Sequence, residues 1–276
     1  MLILLPPSEG KAASGQGRPL DLAALSLPTL RPARERVLEA LVGLCAGPDP
    51  QHARTVLGLP PGLQAEVLRN AGLRGAPTAP AAQVYTGVLY ASLDLAGLPP
   101  AARRRVRHWT LVFSALWGVA RLDDPIAPYR CSMAVRLPGV GSLTGHWRAA
   151  LPAAMAEAAG SGPVLDLRSG GYAGAWTPPA ALAGRTATVR VLHERIVDGL
   201  PRRSVVSHFN KAVKGRLVRS LALAGAQPRS LTQLVRTLRE LGYLVVDREP
   251  AAAGRPRQLD VVVHDLSGEL PSPTQP

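Results

Sequence analysis

Residues 2–5 read Leu-Ile-Leu-Leu, and two prolines stop the run at once. Successive side chains of a strand point to opposite faces, so a strand that is apolar at every position is buried on both sides. This short run is therefore the expected first strand of an internal sheet that helices must cover. The rest of the chain supplies them. Apolar spacing predicts helices over 33–46, near 60–72 and over 99–108. "SVVSHFNKAVKGRLVRSLALAG" reads as a short strand and then a helix closed by Gly225, and Ser230 with Gln233 forms a capping-box pattern before another helix that ends at Gly242. "WTLVFSALWGVARLDD" is an apolar strand running into a helical or turn segment, and "GPVLDLRSGGY", "TATVRVLHERIV" and "LDVVVHDL" are further strands. Strands and helices interleave without a regular βαβ repeat. The expected fold is α/β, a mixed sheet with surrounding helices, in one domain over 1–266 followed by a disordered tail at 267–276.

Apolar residues make up 46% of the 276, enough for a sizeable core, yet no run approaches the roughly 20 needed to span a bilayer. "LILLPP" is too short for a secretory signal and lacks a basic flank, so a cytoplasmic protein without membrane contact is expected. Cys45 and Cys131 lie far apart, without metal spacing and without cause to expect a disulfide. The six histidines are scattered and none stands four residues from another, so neither a metal nor any other cofactor is expected.

The net charge of +13 favours polyanionic partners through non-specific electrostatics, although Arg and Ala enrichment of this kind also follows from GC-rich coding. That enrichment sharpens a second observation. Of 32 basic residues only Lys11, Lys211 and Lys214 are lysines. Lysine is a compact charge whose proton affinity shifts with its surroundings, whereas arginine is permanently charged. Three lysines retained in an arginine-rich chain are candidates for a specific role.

Lys11 follows Gly10 near the end of the first strand, which invites comparison with a phosphate-binding P-loop. That loop needs a glycine five residues before Gly10 and a Ser or Thr after the lysine; Leu5 and Ala12 stand there instead. What remains is a strand end presenting Ser8, Glu9 and Lys11, a common place for ligand-binding groups. A second cluster, His208, Asn210, Lys211, Lys214 and Arg216, sits where a strand gives way to a helix, and the unpaired amides of a first helical turn suit an anion. Tyr129, Arg130, Asp166, Arg168, Ser169 and Tyr172 are polar groups set among apolar strands, able to line a cleft; Asp166 could equally pair with an arginine. "LPGVG" at 137–141 has the glycine spacing of a DNA-binding helix-hairpin-helix, but Pro125 and Pro128 leave little room for the helix that must precede it, and a simple turn explains it equally well.

Taken in order, "MLILLPPSEGK", "VYTGVLY", "SALWGVARLDDPIAPYRCSMAVRL", "HW", "VLDLRSGGY", "FNKAVKG" and "LTQLVRTLRELGY" resemble the YaaA family of bacterial peroxide-stress proteins over nearly the whole chain. "PPSEGK" looks like the actinobacterial variant of an opening that elsewhere reads Ser-Pro-Ala-Lys. The resemblance implies a cytosolic protein that limits oxidative damage under hydrogen peroxide and is linked to lowered free intracellular iron. It also implies a compact family-specific fold with a positively charged cleft, to which Tyr85 and Thr86 of "YTG" are added as lining candidates, and DNA binding. A helix-hairpin-helix associated with the family would fall on "SALWGVARLDD", at Trp117 and Gly118. Ala115 stands where the family often has glycine, and Gly171 where other members have an acidic residue, which weakens the hairpin and any acid/base role at that position.

Two functional expectations follow. One is a DNA-binding stress protein whose cleft holds backbone phosphates, without marked sequence preference, through Lys11, Arg130, Arg168, Lys211, Lys214 and Arg216. The other is an enzyme acting on a small phosphorylated or nucleotide-like ligand in the same cleft, with Lys11 or Lys211 as charge clamp or, if desolvated, as base. An open groove favours the first and a closed pocket the second.

Overall fold

The computed structural model describes residues 1–13, 15–197, 200–205, 207–248 and 254–264, without the side chains of Ser207 and His208. The expected tail at 267–276 lies outside the described residues. The main sheet has eight strands: β1 (Leu2–Leu5), β2 (Thr110–Ser114), β3 (Gly118–Arg121), β4 (Val164–Asp166), β5 (Thr186–Val197), β6 (Leu200–Ser204), β7 (Leu244–Arg248) and β8 (Arg257–Val263). Their order across the sheet is β7-β8-β5-β4-β1-β2-β3, with β6 hydrogen-bonded to the outer part of β5. The inner strands β8, β5, β4, β1 and β2 are parallel, and β7, β3 and β6 join them antiparallel. Leu2, Ile3, Leu4 and Leu5 are all buried, as the unbroken apolar run requires of a strand with neighbours on both edges.

Six longer or site-bearing helices cover the sheet: α1 (Arg31–Ala46), α2 (Val88–Leu93), α3 (Pro100–Trp109), α4 (Leu143–Ala158), α5 (Ser207–Leu223) and α6 (Leu231–Glu240). α6 starts as its pattern predicts, with the Ser230 hydroxyl accepting from the Gln233 amide at 3.2 Å; the Gln233 side chain, however, accepts from the Arg229 amide rather than from that of Ser230. α4 has no counterpart among the predicted helices because Pro152 lies inside it.

Both helix-hairpin-helix readings give way to β-structure. Residues 114–118 join two antiparallel strands, Ser114 facing Gly118. The Ser114 hydroxyl accepts from the amides of Leu116 and Trp117 at 3.2 and 2.9 Å and so ties the turn. Gly118 has φ +71°, and a Cβ there would lie 2.6 Å from the Trp147 ring, whose indole N–H donates to the Ala115 carbonyl at 2.7 Å. "LPGVG" likewise turns between the two-residue strands Arg136–Leu137 and Gly141–Ser142. Buried Arg34 of α1 locks the first turn from behind, donating to the carbonyls of Ser26, Trp117 and Val119 at 2.8–3.1 Å. Cys45 and Cys131 are both buried free thiols. No helix among the described residues is long and apolar enough to cross a membrane.

Candidate anion-binding cleft

From β1 the chain eventually enters β2 on one side; from β4 it passes to β5 on the other. Adjacent parallel strands whose connections diverge leave a crevice at their carboxyl ends, the usual ligand position in open α/β sheets. Here that crevice is a cleft of about 970 Å³. Residues 6–11 after β1 and 168–170 after β4 form two of its walls; Asn210, Lys211 and Lys214 of α5 form another.

The loop after β1 is fixed by the "YTG" stretch. Lys11 bridges to Tyr85 through the backbone, and the Ala12 amide donates to the Val84 carbonyl at 3.0 Å. The Ser8 hydroxyl accepts from the Thr86 amide at 3.0 Å and donates to the Gly10 carbonyl, which the Thr86 hydroxyl also reaches at 3.3 Å. α5 is placed by Gly215, where a Cβ would lie 2.2 Å from the Leu89 carbonyl oxygen of α2, so the two helix backbones meet without an intervening side chain. Asn210 ties the start of α5 to β5 by accepting from the Val191 amide at 3.2 Å.

Charge is distributed unevenly over this lining. Each of its three arginines has a carboxylate partner: Arg130 with Glu9 at 3.3 Å, Arg168 with Asp166 at 2.6 Å and Arg190 with Asp260 at 2.8 Å. None of the three lysines has an ion-pair partner among the described residues. The Lys11 ammonium donates to the carbonyls of Ser8 and Glu9 at 2.9 and 3.2 Å, and that of Lys214 to those of Leu167 and Arg168 at 2.9 and 3.3 Å. An ammonium has three donors, so each retains one N–H for a ligand, and neither has a carboxylate within ion-pair distance among the described residues. Lys211 is exposed and makes no hydrogen bond to the described residues. Burial, reinforced by Arg130, lowers the Lys11 pKa to about 8, with Cys131, Glu66 and Glu9 pulling the other way. Burial lowers that of Lys214 too, against the pull of Asp166.

Of the residues expected from the sequence, Lys11, Arg130, Arg168, Lys211 and Lys214 line this one cleft, together with Ser8, Glu9, Thr86, Ser169, Tyr172 and Asn210. Arg168 is not a free phosphate ligand. Its guanidinium is sealed in, bidentate to Asp166 at 2.9 and 2.6 Å, bonded to the carbonyls of Tyr172 and Trp176, and stacked 4.3 Å from the Phe113 ring centroid. Asp166 is its buried partner and no part of the lining. Arg216, the residue after Gly215, is not among the residues that line the cleft. Tyr85 and Tyr129 are buried beneath the lining, hydroxyls 3.3 Å apart, with Ser114 at 2.6 Å from that of Tyr129 and the Lys11 nitrogen 4.4 Å from the Tyr129 ring centroid. The side chain of His208 lies outside the described residues. Arg190 was missed because it reads as an ordinary outward position of an alternating strand. Asn70 was missed too; buried, it clamps Arg130 by accepting from its amide and donating to its carbonyl at 2.9 and 2.8 Å. Among the described residues, no group of three or more His, Cys, Asp or Glu side chains could hold a metal ion.

Comparison with known proteins supplies the family. The model for "Peroxide stress protein YaaA" matches residues 1–249. A UPF0246 protein of Streptomyces coelicolor is 57% identical over 96% of this chain and all of its own length. Another, from Corynebacterium efficiens, is 39% identical over 95% of this chain and all of its own. An uncharacterized protein of Campylobacter jejuni is 25% identical over 79% of this chain and 83% of its own. A cleft built where "PPSEGK", "YTG", "PYRCSM", "LDLRSGGY" and "FNKAVKG" converge thus sits in a chain that belongs to the YaaA (UPF0246) family of peroxide stress proteins.

Proposed function

We propose that this family member binds a phosphate-bearing, nucleotide-sized ligand in the cleft at the ends of β1 and β4. The observation that carries the reading is the division of labour among the cations: the arginines of the lining are paired, and all three lysines of the chain face the cleft unpaired. Lys11 and Lys214 are desolvated without a carboxylate in ion-pair distance, a cost to the fold that a bound polyanion offsets, and exposed Lys211 adds a third positive charge at the mouth. A volume of about 970 Å³ is at the upper end of the roughly 300–1,000 Å³ typical of small-molecule sites. Calorimetric titration with adenosine 5′-diphosphate and with inorganic pyrophosphate tests this on the intact chain and on Lys211→Ala and Lys214→Ala. A charged hydrogen bond is worth about 1.5–3 kcal/mol, so each variant should bind at least about tenfold more weakly. Unchanged affinity in Lys211→Ala, whose exposed side chain supports no packing, refutes the reading.

A second reading, DNA binding, is favoured by the β5–β6 ribbon. In register, Arg195 stands directly opposite Arg202, with exposed Ile196 and Leu200 nearby. Like charges directly across a strand pair repel, and an anionic partner removes the repulsion. A two-stranded ribbon fits the major groove, and exposed apolar residues can act as wedges between base steps. Protection under peroxide would then include shielding of DNA. Anisotropy titrations of a labelled duplex at several salt concentrations should show a steep dependence, shallower by about 2 in log–log slope for Arg195→Ala/Arg202→Ala. A slope indifferent to both arginines removes the ribbon from the account.

A further inference from the structure

We propose that Lys11 is a catalytic amine nucleophile, condensing with the carbonyl carbon of a phosphorylated aldehyde or ketone whose phosphate is held by Lys211 and Lys214. The substrate class rests on the phosphate reading above; the reactivity of the amine does not. Lys11 nitrogen sits 4.4 and 5.8 Å from the ring centroids of Tyr129 and Tyr85, both buried, while Lys11 itself lines the cleft. Two backbone carbonyls aim it, and no carboxylate lies within ion-pair distance among the described residues. The charged and titratable groups around it are Arg130, Glu9, Glu66, Cys131 and the two tyrosines. Arg130 is held close by Glu9 and by the Asn70 clamp. A lysine desolvated by burial beside a second cation, here Arg130, is the arrangement that frees an amine near neutral pH. With its pKa lowered to about 8, a useful fraction of Lys11 is unprotonated at pH 7–8. To hold an anion and nothing more, arginine would serve, and this chain uses arginine at 29 of its 32 basic positions. A guanidinium cannot supply the lone pair.

The step balances without an oxidant or reductant. The nitrogen lone pair attacks the carbonyl carbon, giving a carbinolamine. The carbon–oxygen bond then breaks, and the oxygen leaves as water with the two protons the amine gives up, so that the carbonyl becomes an imine.

Pyridoxal 5′-phosphate is a suitable probe because it joins an aldehyde to a phosphate; pyridoxal lacks the phosphate. Each is incubated with the full chain, reduced with cyanoborohydride and located by peptide mass mapping. With three lysines the map is simple. The phosphorylated probe should label Lys11 at least about tenfold faster than Lys211, with a rate that rises through about pH 8. Lys11→Arg should abolish that label. Labelling at Lys211 or Lys214 in preference to Lys11 overturns the nucleophile. If pyridoxal and its phosphate label Lys11 equally, the phosphate part falls and the nucleophile stands. Loss of pyrophosphate binding in Lys211→Ala with Lys11 unlabelled gives the converse.

Discussion

The closest backbone approach at the cleft offers the sharpest perturbation. At Gly215 a Cβ would stand 2.2 Å from the Leu89 carbonyl oxygen, 2.9 Å from the Leu93 nitrogen and 3.0 Å from the Ser92 Cβ. Two of these three neighbours are backbone and cannot rotate away. Gly215→Ala therefore has to push α5 from α2 by roughly an ångström, since packed interiors leave no slack for a methyl group. Such overpacking costs about 1–3 kcal/mol and, at this chain length, lowers Tm by about 2–10 °C. The same shift carries Lys214, in the preceding residue, away from the Leu167 carbonyl it meets at 2.9 Å, so that bond passes beyond hydrogen-bond range. Thermal unfolding by circular dichroism and pyrophosphate titration read the two effects together. The control is Gly43→Ala, where nothing lies within 4 Å; it should be neutral or stabilising by up to about 1 kcal/mol. A Gly215→Ala protein with wild-type Tm and wild-type affinity would refute the claim that this crossing places the lysines.

The remaining predictions concern charge. Asp166→Asn leaves the Arg168 guanidinium buried without its counter-charge and should cost about 3–5 kcal/mol in urea unfolding, whereas exposed Glu35→Gln, at the Arg31 pair, should change stability by less than about 1 kcal/mol. Lys11 has a folded pKa of about 8 against 10.5 when free, so above pH 8 the unfolded chain holds a proton that the folded chain has released. Its contribution to stability should accordingly rise between about pH 8 and 10.5, and Lys11→Met should remove that part of the slope, measured as urea midpoint against pH. Pyrophosphate affinity should move the opposite way, falling through about pH 8 as Lys11 loses its charge, and staying flatter in Lys11→Arg.

Sequence reasoning reached the cleft through residue type rather than spacing. Lys11 and Lys211 are 200 positions apart, and their rarity among arginines, together with the family resemblance, joins them before the sheet order brings them to one crevice. The first strand and β5 were readable because a sheet imposes its burial pattern on the side chains directly. At 114–118 the sequence leaves helix and turn both open, because Trp117 and Gly118 are set by long-range contacts with Arg34 and Trp147, which no local pattern encodes. Arg168 was misread for a related reason. Its sequence neighbourhood shows a cation beside an aspartate two residues back, but only the burial of both side chains makes the pair inward and exclusive. Arg130 and Arg190 look the same as any other arginine in the chain until their carboxylates are located.

On the proposed reading the three lysines form one anion site without carboxylate partners. A crystal structure of the protein soaked with inorganic pyrophosphate tests it most directly. The anion is expected in the cleft between the loop after β1 and the start of α5, within hydrogen-bond distance of Lys214 and Lys211. Pyrophosphate bound instead at arginines elsewhere, with the cleft filled by solvent and the lysines unmoved, would contradict it.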